Sequence, residues 1–489
     1  VFRQNCKFVY IQVSKFCQSH INNLTIKTDL LYQLILHLSA RQRREATHWL
    51  ACEVHNKRPE VSQLFGLLVE SMHELSIQLQ PEAYWNKLFP NHNFSDLAWR
   101  RLRHRLLSAL EDYLVFDYRR SRPAEQQRHL LDAYEEAGLY PHLRTRLNRY
   151  KTDHSSGLDR YRYAYRHQQM QYKIDTSGET RGHQYNLQEQ ETSLEGYVLA
   201  LSLRQACISL AYKRIQGREI ELPLLSGILQ RAKSPYYANQ PGIRLFYLVA
   251  QMYLSDAEMA RSAYEELRVG LMEYGSSFPH ADHQNLLLLT INHSLRESNA
   301  GQASYLKDTL ELYRYGLQTN TLLEGGRLGQ RTFNNIVGVA LRLGELKWTR
   351  EFIDKYESRL HPQWRQEISS LSRARIAWLT GDYDATLAYL QTADYQDPYH
   401  QLTARVFQLK VYFAKDAYNL IEAHLRSSRA YMRRRKLGYH RDNYQNIFSL
   451  ASRVARLGPG KSKVRDRLSQ DIQNTEPCTE KSWLLSLLE

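Results

Sequence analysis

The sequence predicts an all-α fold, and three of its features lead to that prediction. Apolar side chains recur at the three- and four-residue intervals of amphipathic helices along most of the 489 residues. Glycine (22) and proline (13) are sparse for this length, so turns are few. No convincing series of alternating strand patterns with Asn-Gly or Asp-Gly turns is present. The length suits several domains or one long repeat array, and the composition favours the array.

Composition also excludes several classes of protein. A chain with 43% hydrophobic and 24% charged residues is expected to fold rather than to remain disordered. It contains no uninterrupted run of about 18 apolar residues, so no transmembrane segment is predicted. Residues 1–25 form an N-terminal segment of uncertain order, without a secretory signal and without an initiator methionine. The five cysteines are widely spaced and lack a CxxC pair, which favours a reducing compartment, and we expect the cytoplasm.

Residues 26–173 predict an N-terminal helical region. Between residues 30 and 54 two helices are expected to meet at Ser39, which is a suitable N-cap. Residues 97–116 predict an amphipathic helix. Its apolar face is expected to carry Leu97, Leu102, Leu106, Leu110, Tyr113 and Leu114.

A polar, glycine-containing stretch follows and predicts a linker over residues 174–191. The capping box Thr192-x-x-Glu195 is expected to open the next helix. We therefore place the main boundary of the chain between the N-terminal helical region and a second helical region over residues 192–457.

The second region repeats itself. Gly381 begins the second helix of a pair whose first helix carries the small residues Ala374 and Ala377, and Pro398 ends the unit. Gly344 holds the corresponding place 37 residues earlier (381 − 344). A related unit begins with the capping box Ser255-x-x-Glu258, and a fourth, less regular unit runs through residues 415–425.

These units resemble tetratricopeptide-type helix-turn-helix repeats. The resemblance implies an α-solenoid of antiparallel helix pairs wound into a right-handed superhelix. The Gly344 unit departs from the pattern at Val337 and Thr349, where smaller residues are usual. With its LYQLILHLSARQRRE and LRHRLLSALEDYLVFDYR segments, the chain also resembles an uncharacterised family of long all-helical bacterial proteins, and this second resemblance implies no activity.

The net charge of +15 is concentrated in two blocks. Residues 100–173 carry 16 Lys and Arg against 9 Asp and Glu, and residues 426–467 carry 13 against 2. Such an excess predicts a surface for RNA or DNA, for an acidic protein or for anionic lipid, and the sequence does not choose among them. Part of the second block has a structural explanation, because a helix C-terminus favours cations.

The stretch LDRYRYAYRHQQMQYK, in the first block, has two interpretations. Leu158, Tyr161, Tyr165 and Tyr172 share one helical face, and we favour a packed helix with arginines on its exposed side. In the alternative, Tyr163 stacks on bases while neighbouring arginines bind phosphates. The candidate anion- or partner-binding residues of both blocks are Arg160, Arg162, Arg166, Arg426, Arg429, Arg433, Arg434, Arg435 and Lys436.

We predict no catalytic, cofactor-binding or metal-binding residue. Lys461 and Ser462 end a GPGKS stretch, but the glycine-rich loop and the preceding strand of a nucleotide site are missing. His280 and His283 lack further ligands at a recognisable metal spacing. No HExxH, GxSxG or Cys/His nucleophile motif is present.

The expected function is that of a non-catalytic helical-repeat scaffold or adaptor for protein–protein interaction. The alternative is a helical protein that binds nucleic acid through its arginine-rich surfaces. A DNA-reading helix-turn-helix within residues 30–60 is the weakest hypothesis, because no recognition-helix pair with a glycine turn is present there. The basic C-terminal tail, residues 458–489, ends in WLLSLLE and is expected to fold back as a cap, or else to present a docking peptide. The oligomeric state is not predicted.

Overall fold

A computed structural model of the chain describes residues 29–71, 81–149, 157–178, 184–435, 437, 441–457 and 462–489. Across these residues the chain is almost entirely helical, which confirms the all-α class. The strands found there are β1 (Leu323–Glu324) and β2 (Arg327–Leu328), which form one short antiparallel pair. No helix in the described ranges is long and apolar enough to cross a bilayer. The predicted segment 1–25 lies outside the described residues.

The chain divides into two compact units and crosses between them more than once, after residue 151, after residue 166 within a helix and after residue 187. Among the described residues, the smaller unit holds those from 29 to 149 and those from 167 to 187. Its helices, together with the one that contains the boundary after residue 166, are α1 (Leu30–His37), α2 (Ala40–Ala51), α3 (Pro59–Ser71), α4 (Pro81–Leu88), α5 (Asp96–Arg120), α6 (Pro123–Glu136), α7 (Tyr140–Arg149) and α8 (Leu158–Thr176).

In the smaller unit, α1 and α2 meet at Ser39 as predicted. The backbone N–H of Gln42 donates to Ser39 Oγ at 3.2 Å, while the Ser39 N–H donates to the Gln42 side chain at 3.0 Å. This reciprocal pair satisfies two of the N–H groups that a helix start leaves without an intrahelical partner. Helix α5 buries the predicted apolar stripe from Leu102 to Tyr113. Leu97 is 59% exposed, because the stripe begins instead at Trp99.

The larger unit holds residues 157–166 and the described residues from 188 onward. Its helices are α9 (Leu187–Gln216), α10 (Leu225–Ala232), α11 (Pro235–Ala238), α12 (Pro241–Leu254), α13 (Ala257–Tyr274), α14 (His280–Asn299), α15 (Ser304–Gln318), α16 (Gln330–Arg342), α17 (Leu346–Tyr356), α18 (Pro362–Leu379), α19 (Tyr383–Gln391), α20 (Pro398–Ala414), α21 (Tyr418–Arg433), α22 (Arg441–Ala455), α23 (Ser462–Asn474) and α24 (Lys481–Ser486).

Two predicted helix starts in the larger unit are wrong. Helix α9 begins at Leu187, so Thr192 lies inside it, and its hydroxyl bonds the carbonyl of Gln188 at 2.9 Å. Within the predicted linker 174–191, the chain is therefore helical up to Thr176 and again from Leu187. Helix α13 is capped by Asp256 rather than Ser255, because the Asp256 carboxylate accepts from the Met259 N–H at 3.0 Å.

The same turn connects three helix pairs of the larger unit. Gly344, Gly381 and Asp416 all have left-handed backbones, with φ of 75°, 75° and 52°. After each of them, the N–H of the next residue donates to a carbonyl five residues earlier, on Ala340, Ala377 and Tyr412 respectively. This bond closes the C-terminus of the first helix and reverses the chain into the second. The fourth, less regular unit of the sequence thus has the same turn, with aspartate in the glycine position.

The C-terminal tail is anchored to the helices before it. Leu484 is 0% exposed and belongs to the same apolar cluster as Ile421 of α21 and Phe448 of α22. The amine of Lys410, itself buried, lies 2.5 Å from the carboxylate of Glu480, just before α24. The apolar end of the tail therefore covers the last helices of the unit, which agrees with the expected cap.

We predict that Leu484→Ala lowers the free energy of unfolding by about 2–4 kcal/mol, because it leaves a cavity in a closed apolar cluster. Val464→Ala on the adjacent α23 is the control, since Val464 is 50% exposed, and it is expected to cost less than about 0.5 kcal/mol. Urea unfolding of both variants provides the measurement. If Leu484→Ala and Val464→Ala lowered the free energy of unfolding equally, the tail would not cover the apolar cluster of α21 and α22.

A buried histidine makes the stability of the larger unit depend on pH. His293 of α14 is 3% exposed, and its Nδ1 accepts from the Arg296 guanidinium at 2.8 Å. Burial, reinforced by the charges of Arg296 and Arg214, lowers the pKa of His293 from 6.5 to about 3. The folded state therefore holds this imidazole neutral.

We predict that stability falls as the pH falls from about 6.5 towards 4, because the unfolded chain binds a proton on His293 that the folded chain does not. His293→Gln removes this titration and keeps an acceptor for Arg296. The free energy of unfolding of this variant should therefore fall less steeply with decreasing pH than that of the parent protein. The two slopes should differ by up to about 1.4 kcal/mol per pH unit. Urea midpoints measured across this pH range test the prediction, and identical slopes for the two proteins would contradict it.

Candidate anion-binding cleft

Helices α21 and α22 form the two walls of an open cleft of about 470 Å³. The wall side chains recur at helical intervals, so each helix directs one stripe into the cleft. From α21 the polar residues of the stripe are Glu422, Arg426, Arg429 and Arg433. From α22 and the residue after it they are Arg441, Gln445, Ser449, Ser452 and Arg456. The remaining lining residues are Leu425, Met432 and Ala455, and the first two of these are buried.

The charge of this cleft is not balanced by the protein. Five of its lining residues are arginines, all with exposed side chains, and one is a carboxylate, Glu422. Arg429 donates to the carbonyl of Phe448 at 3.5 Å. Within the described ranges, the structure gives the other four arginines neither a hydrogen bond nor an ion pair. Like charges grouped without partners create a strong positive potential.

The first basic block is different, because many of its cations have acidic partners. These pairs are Arg100 with Asp96, Arg103 with Asp29, Arg120 with Glu45, Arg128 with Glu125, Arg162 with Asp159 and Lys173 with Glu135. The Arg120 guanidinium, assisted by Arg41, lowers the pKa of Glu45 to about 2. The structure thus pairs at least six of the sixteen cations of the first block with acids, whereas within the described residues the cleft arginines of the second block have no ion pair.

Both walls are held from the side that faces away from the cleft. On α21, His424 Nε2 bonds the carbonyl of Arg405 in α20 at 2.8 Å, and the Arg405 guanidinium donates to Ser427 Oγ at 3.0 Å. On α22, the Asn443 carboxamide accepts from the Thr479 N–H at 2.9 Å. These bonds fix the orientation of α21 and α22, and therefore the direction of their polar stripes. The arginines lie close together because the two helices are held in this orientation, and not because the arginines contact one another.

The candidate residues of the second block separate into two groups. Arg426, Arg429 and Arg433 line the cleft. Arg434 follows α21 as its C-cap, and Arg435 lies over the Tyr431 ring at 5.7 Å, and neither lines the cleft. Lys436 lies outside the described residues.

The candidate residues of the first block lie on α8 and do not line the cleft. Tyr161 is buried, and burial raises its pKa to about 12, as the packed-helix interpretation requires. The Tyr163 hydroxyl accepts from Arg162, whose guanidinium also lies 4.7 Å from the Tyr163 ring centroid. Arg160 is exposed and Arg166 is half-buried.

The histidine pair lies within the described residues, whereas the GPGKS stretch lies almost entirely outside them. His283 is hydrogen-bonded at both ring nitrogens, to Tyr315 Oη at 2.9 Å and to Thr321 Oγ1 at 3.1 Å. His280 Nε2 lies 3.1 Å from the carbonyl of Leu323. In the part of the chain that the structure describes, no three His, Cys, Asp or Glu side chains are grouped to hold a metal ion. Lys461 lies outside that part, and Ser462 begins α23.

Sequence reasoning missed the residues that α22 contributes to the cleft. Arg441, Gln445, Ser449, Ser452 and Arg456 follow one another at intervals of 4, 4, 3 and 4 residues, which place them on one helical face. The apolar face of α22 is recognisable from the sequence, whereas the polar stripe of α22 was not interpreted as a binding surface. The spacing of that polar stripe is the sequence signal from which these residues could have been found.

Comparison with known proteins leaves the function to be argued from the cleft. The chain matches no family model, no curated protein and no solved structure. The resemblance to tetratricopeptide-type repeats and to long all-helical bacterial proteins thus rests on the sequence pattern and stays a prediction.

Arg441 occupies a position that costs stability. It is the first residue of α22, and a cation is unfavourable near a helix N-terminus. It also adds to a group of like charges.

We predict that Arg441→Gln raises the free energy of unfolding by about 0.3–1 kcal/mol at low ionic strength, and that salt removes the gain. Arg204→Gln is the contrasting variant, because Arg204 pairs with the buried Asp282 at 2.7 Å, and it should cost about 1–3 kcal/mol. Thermal unfolding at low and high salt gives both values. A loss of stability in Arg441→Gln would show that Arg441 has a structural role.

Proposed function

We propose that this chain is a non-catalytic helical-repeat scaffold whose cleft between α21 and α22 binds an acidic segment of a partner protein. The observation that carries the proposal is the set of five lining arginines opposed by one carboxylate. Guanidinium groups form strong, charge-assisted hydrogen bonds with carboxylates, often through two parallel bonds. An acidic ligand would supply the partners that the described residues do not.

The proposed architecture is a tetratricopeptide-like solenoid of antiparallel helix pairs. The turn shared by the α16–α17, α18–α19 and α20–α21 pairs supports it, because in each pair the second helix begins within a few residues of the end of the first. Stacked helix pairs bury their apolar faces against their neighbours and leave extended surfaces for binding. In this arrangement α21 and α22 are successive helices of the stack.

The chemistry of the cleft suits binding rather than catalysis. Arginine stays protonated at all ordinary pH values, so it cannot exchange protons with a substrate as an acid–base catalyst must. Glu422 is the one carboxylate among the lining residues, and no second carboxylate lines the described cleft to act with it as an acid–base pair. The lining hydroxyls of Ser449 and Ser452 have no histidine or lysine among the other lining residues to activate them.

A protein ligand is favoured over nucleic acid by the other lining residues. Proteins that bind single strands without sequence preference stack bases on aromatic side chains. None of the described residues that line this cleft is aromatic. Leu425 and Met432 form the apolar floor of the cleft and are almost fully buried, so a ligand would mainly contact the arginine, glutamine and serine side chains. The Tyr163 ring, the aromatic candidate for base stacking, is already in contact with Arg162.

We keep the cytoplasm as the proposed location. Cys52, Cys207 and Cys478 are free thiols. Burial raises the pKa of the Cys207 and Cys478 thiols, so neither is poised to react. Unpaired and unreactive cysteines are usual in a reducing compartment.

We predict that Arg433→Ala weakens the binding of a fluorescein-labelled peptide rich in glutamate and leucine by about tenfold, because one charge-assisted contact of roughly 1.4 kcal/mol is lost. Fluorescence anisotropy measures the affinity. Arg434→Ala is a closely matched control. It removes the same charge from the adjacent exposed residue, which does not line the cleft, and should change affinity less than about twofold.

Two outcomes would contradict the proposal. Equal losses in the Arg433 and Arg434 variants would mean that the peptide responds to the general charge of the helix end. Failure of the peptide to bind at low salt, with steeply salt-dependent binding of mixed-sequence RNA, would favour the nucleic-acid alternative.

A further inference from the structure

We infer that the acidic segment binds in the cleft as an amphipathic α-helix, an inference that rests on the function proposed above. The reasons lie in the hydrogen-bonding groups of the cleft, in the spacing of its arginines and in its apolar residues. Each of them distinguishes a helical ligand from an extended one.

The cleft is rich in donors and poor in acceptors. Each of its five guanidinium groups carries several N–H donors. Its exposed side-chain acceptors are those of Glu422, Gln445 and Ser449. The backbone groups in the middle of α21 and α22 are already used within those helices, so the walls offer no strand edge for pairing.

An extended peptide would bring one N–H and one carbonyl with almost every residue, and the guanidinium groups could bind its carbonyls, but its N–H groups would find few acceptors in this cleft. A helix satisfies its backbone N–H groups internally, apart from those of its first turn. The acidic side chains of such a helix would then present carboxylate oxygens to the cleft, and these are acceptors for the guanidinium groups. The hydrogen-bonding groups of the cleft thus fit an acidic helix better than an acidic strand.

The spacing of the arginines matches the repeat of a helix. Arg426, Arg429 and Arg433 stand at i, i+3 and i+7, with rises of about 4.5 and 6 Å along α21. Glutamates at i, i+3 or i+4, and i+7 of a second helix have the same rises, so successive carboxylates can face successive guanidinium groups. The stripe from Glu422 to Arg433 extends over about 16 Å, which is about three turns of a ligand helix.

The apolar residues of the cleft repeat with the same period. Leu425 and Met432 are seven residues apart, which is two helical turns. An amphipathic helix has its own apolar side chains at such intervals, next to its acidic stripe. Leu425 and Met432 are only 3% and 6% exposed, so leucines on the ligand would reach them only at the floor of the cleft, while the glutamates on either side contact the arginines.

The test uses two labelled peptides of about 16 residues with one sequence, in which glutamates recur at i, i+4, i+7 and i+11 beside a stripe of leucines. The second peptide differs from the first only in having two central residues as their D-enantiomers. These preserve charge and composition but disfavour a right-handed helix. Each peptide is titrated with the complete protein and with its Arg433→Ala and Arg434→Ala variants, and circular dichroism of each mixture reports the helix gained on binding.

We expect the all-L peptide to bind at least about tenfold more tightly than the D-containing peptide and to gain helix in the complex. Arg433→Ala should remove most of that difference, and Arg434→Ala should preserve it. Equal affinities of the two peptides, both weakened by Arg433→Ala, would overturn the helical ligand and leave the acidic-segment function standing. Binding of neither peptide at low salt, with binding of RNA, would overturn both.

Discussion

The larger unit depends on one local constraint, which is the reversal of the chain by a single residue in the left-handed conformation. At Gly344, Gly381 and Asp416 this conformation closes one helix and starts the next within a few residues. The apolar stripes of two consecutive helices are thereby brought together. Helix α21 buries the stripe of Ile421, Leu425, Ser428 and Met432, and the exposed cleft arginines stand beside the buried faces of α21 and α22.

The cleft joins this architecture to the proposed function. Its arginines are grouped because α21 and α22 are fixed from behind by Arg405, His424 and Asn443. The grouping of like charges is unfavourable, and Arg441 adds a cation at a helix N-terminus. Among the described residues, four of the five cleft arginines have no hydrogen bond or ion pair, and this is why we propose an anionic ligand for the cleft.

Much of the fold could be predicted from the sequence, because helical periodicity and caps are local signals. The helix junction at Ser39, the stripe of α5 from Leu102 and the units around Gly344 and Gly381 follow directly from residue spacing. Helix starts were harder, since two residues near a start compete for the cap, as Ser255 and Asp256 do. The start of α9 was misplaced because Thr192 and Glu195 have a capping pattern in the middle of a helix.

The candidate site was predicted only in part. The sequence identified Arg426, Arg429 and Arg433 by their density of charge, but density does not tell which cations are neutralised by distant acids. Arg103 and Asp29 are 74 residues apart in the sequence and pair in space. The sequence did not identify Arg441 and Arg456 as part of the site, because their charge alone does not show which surface they share. Only the packing of α22 beside α21 directs the polar stripe of α22 into the same cleft.

The central claim is that the cleft arginines bind carboxylates of a protein ligand, and exchanging the charges tests it most directly. The double variant Arg429→Glu, Arg433→Glu is titrated with the acidic peptide and with a peptide in which every glutamate is replaced by lysine. The claim predicts that the variant loses the acidic peptide and gains the lysine peptide, while the parent protein shows the reverse preference. If the variant keeps the acidic peptide, or loses it without gaining the lysine peptide, the cleft is not the binding site.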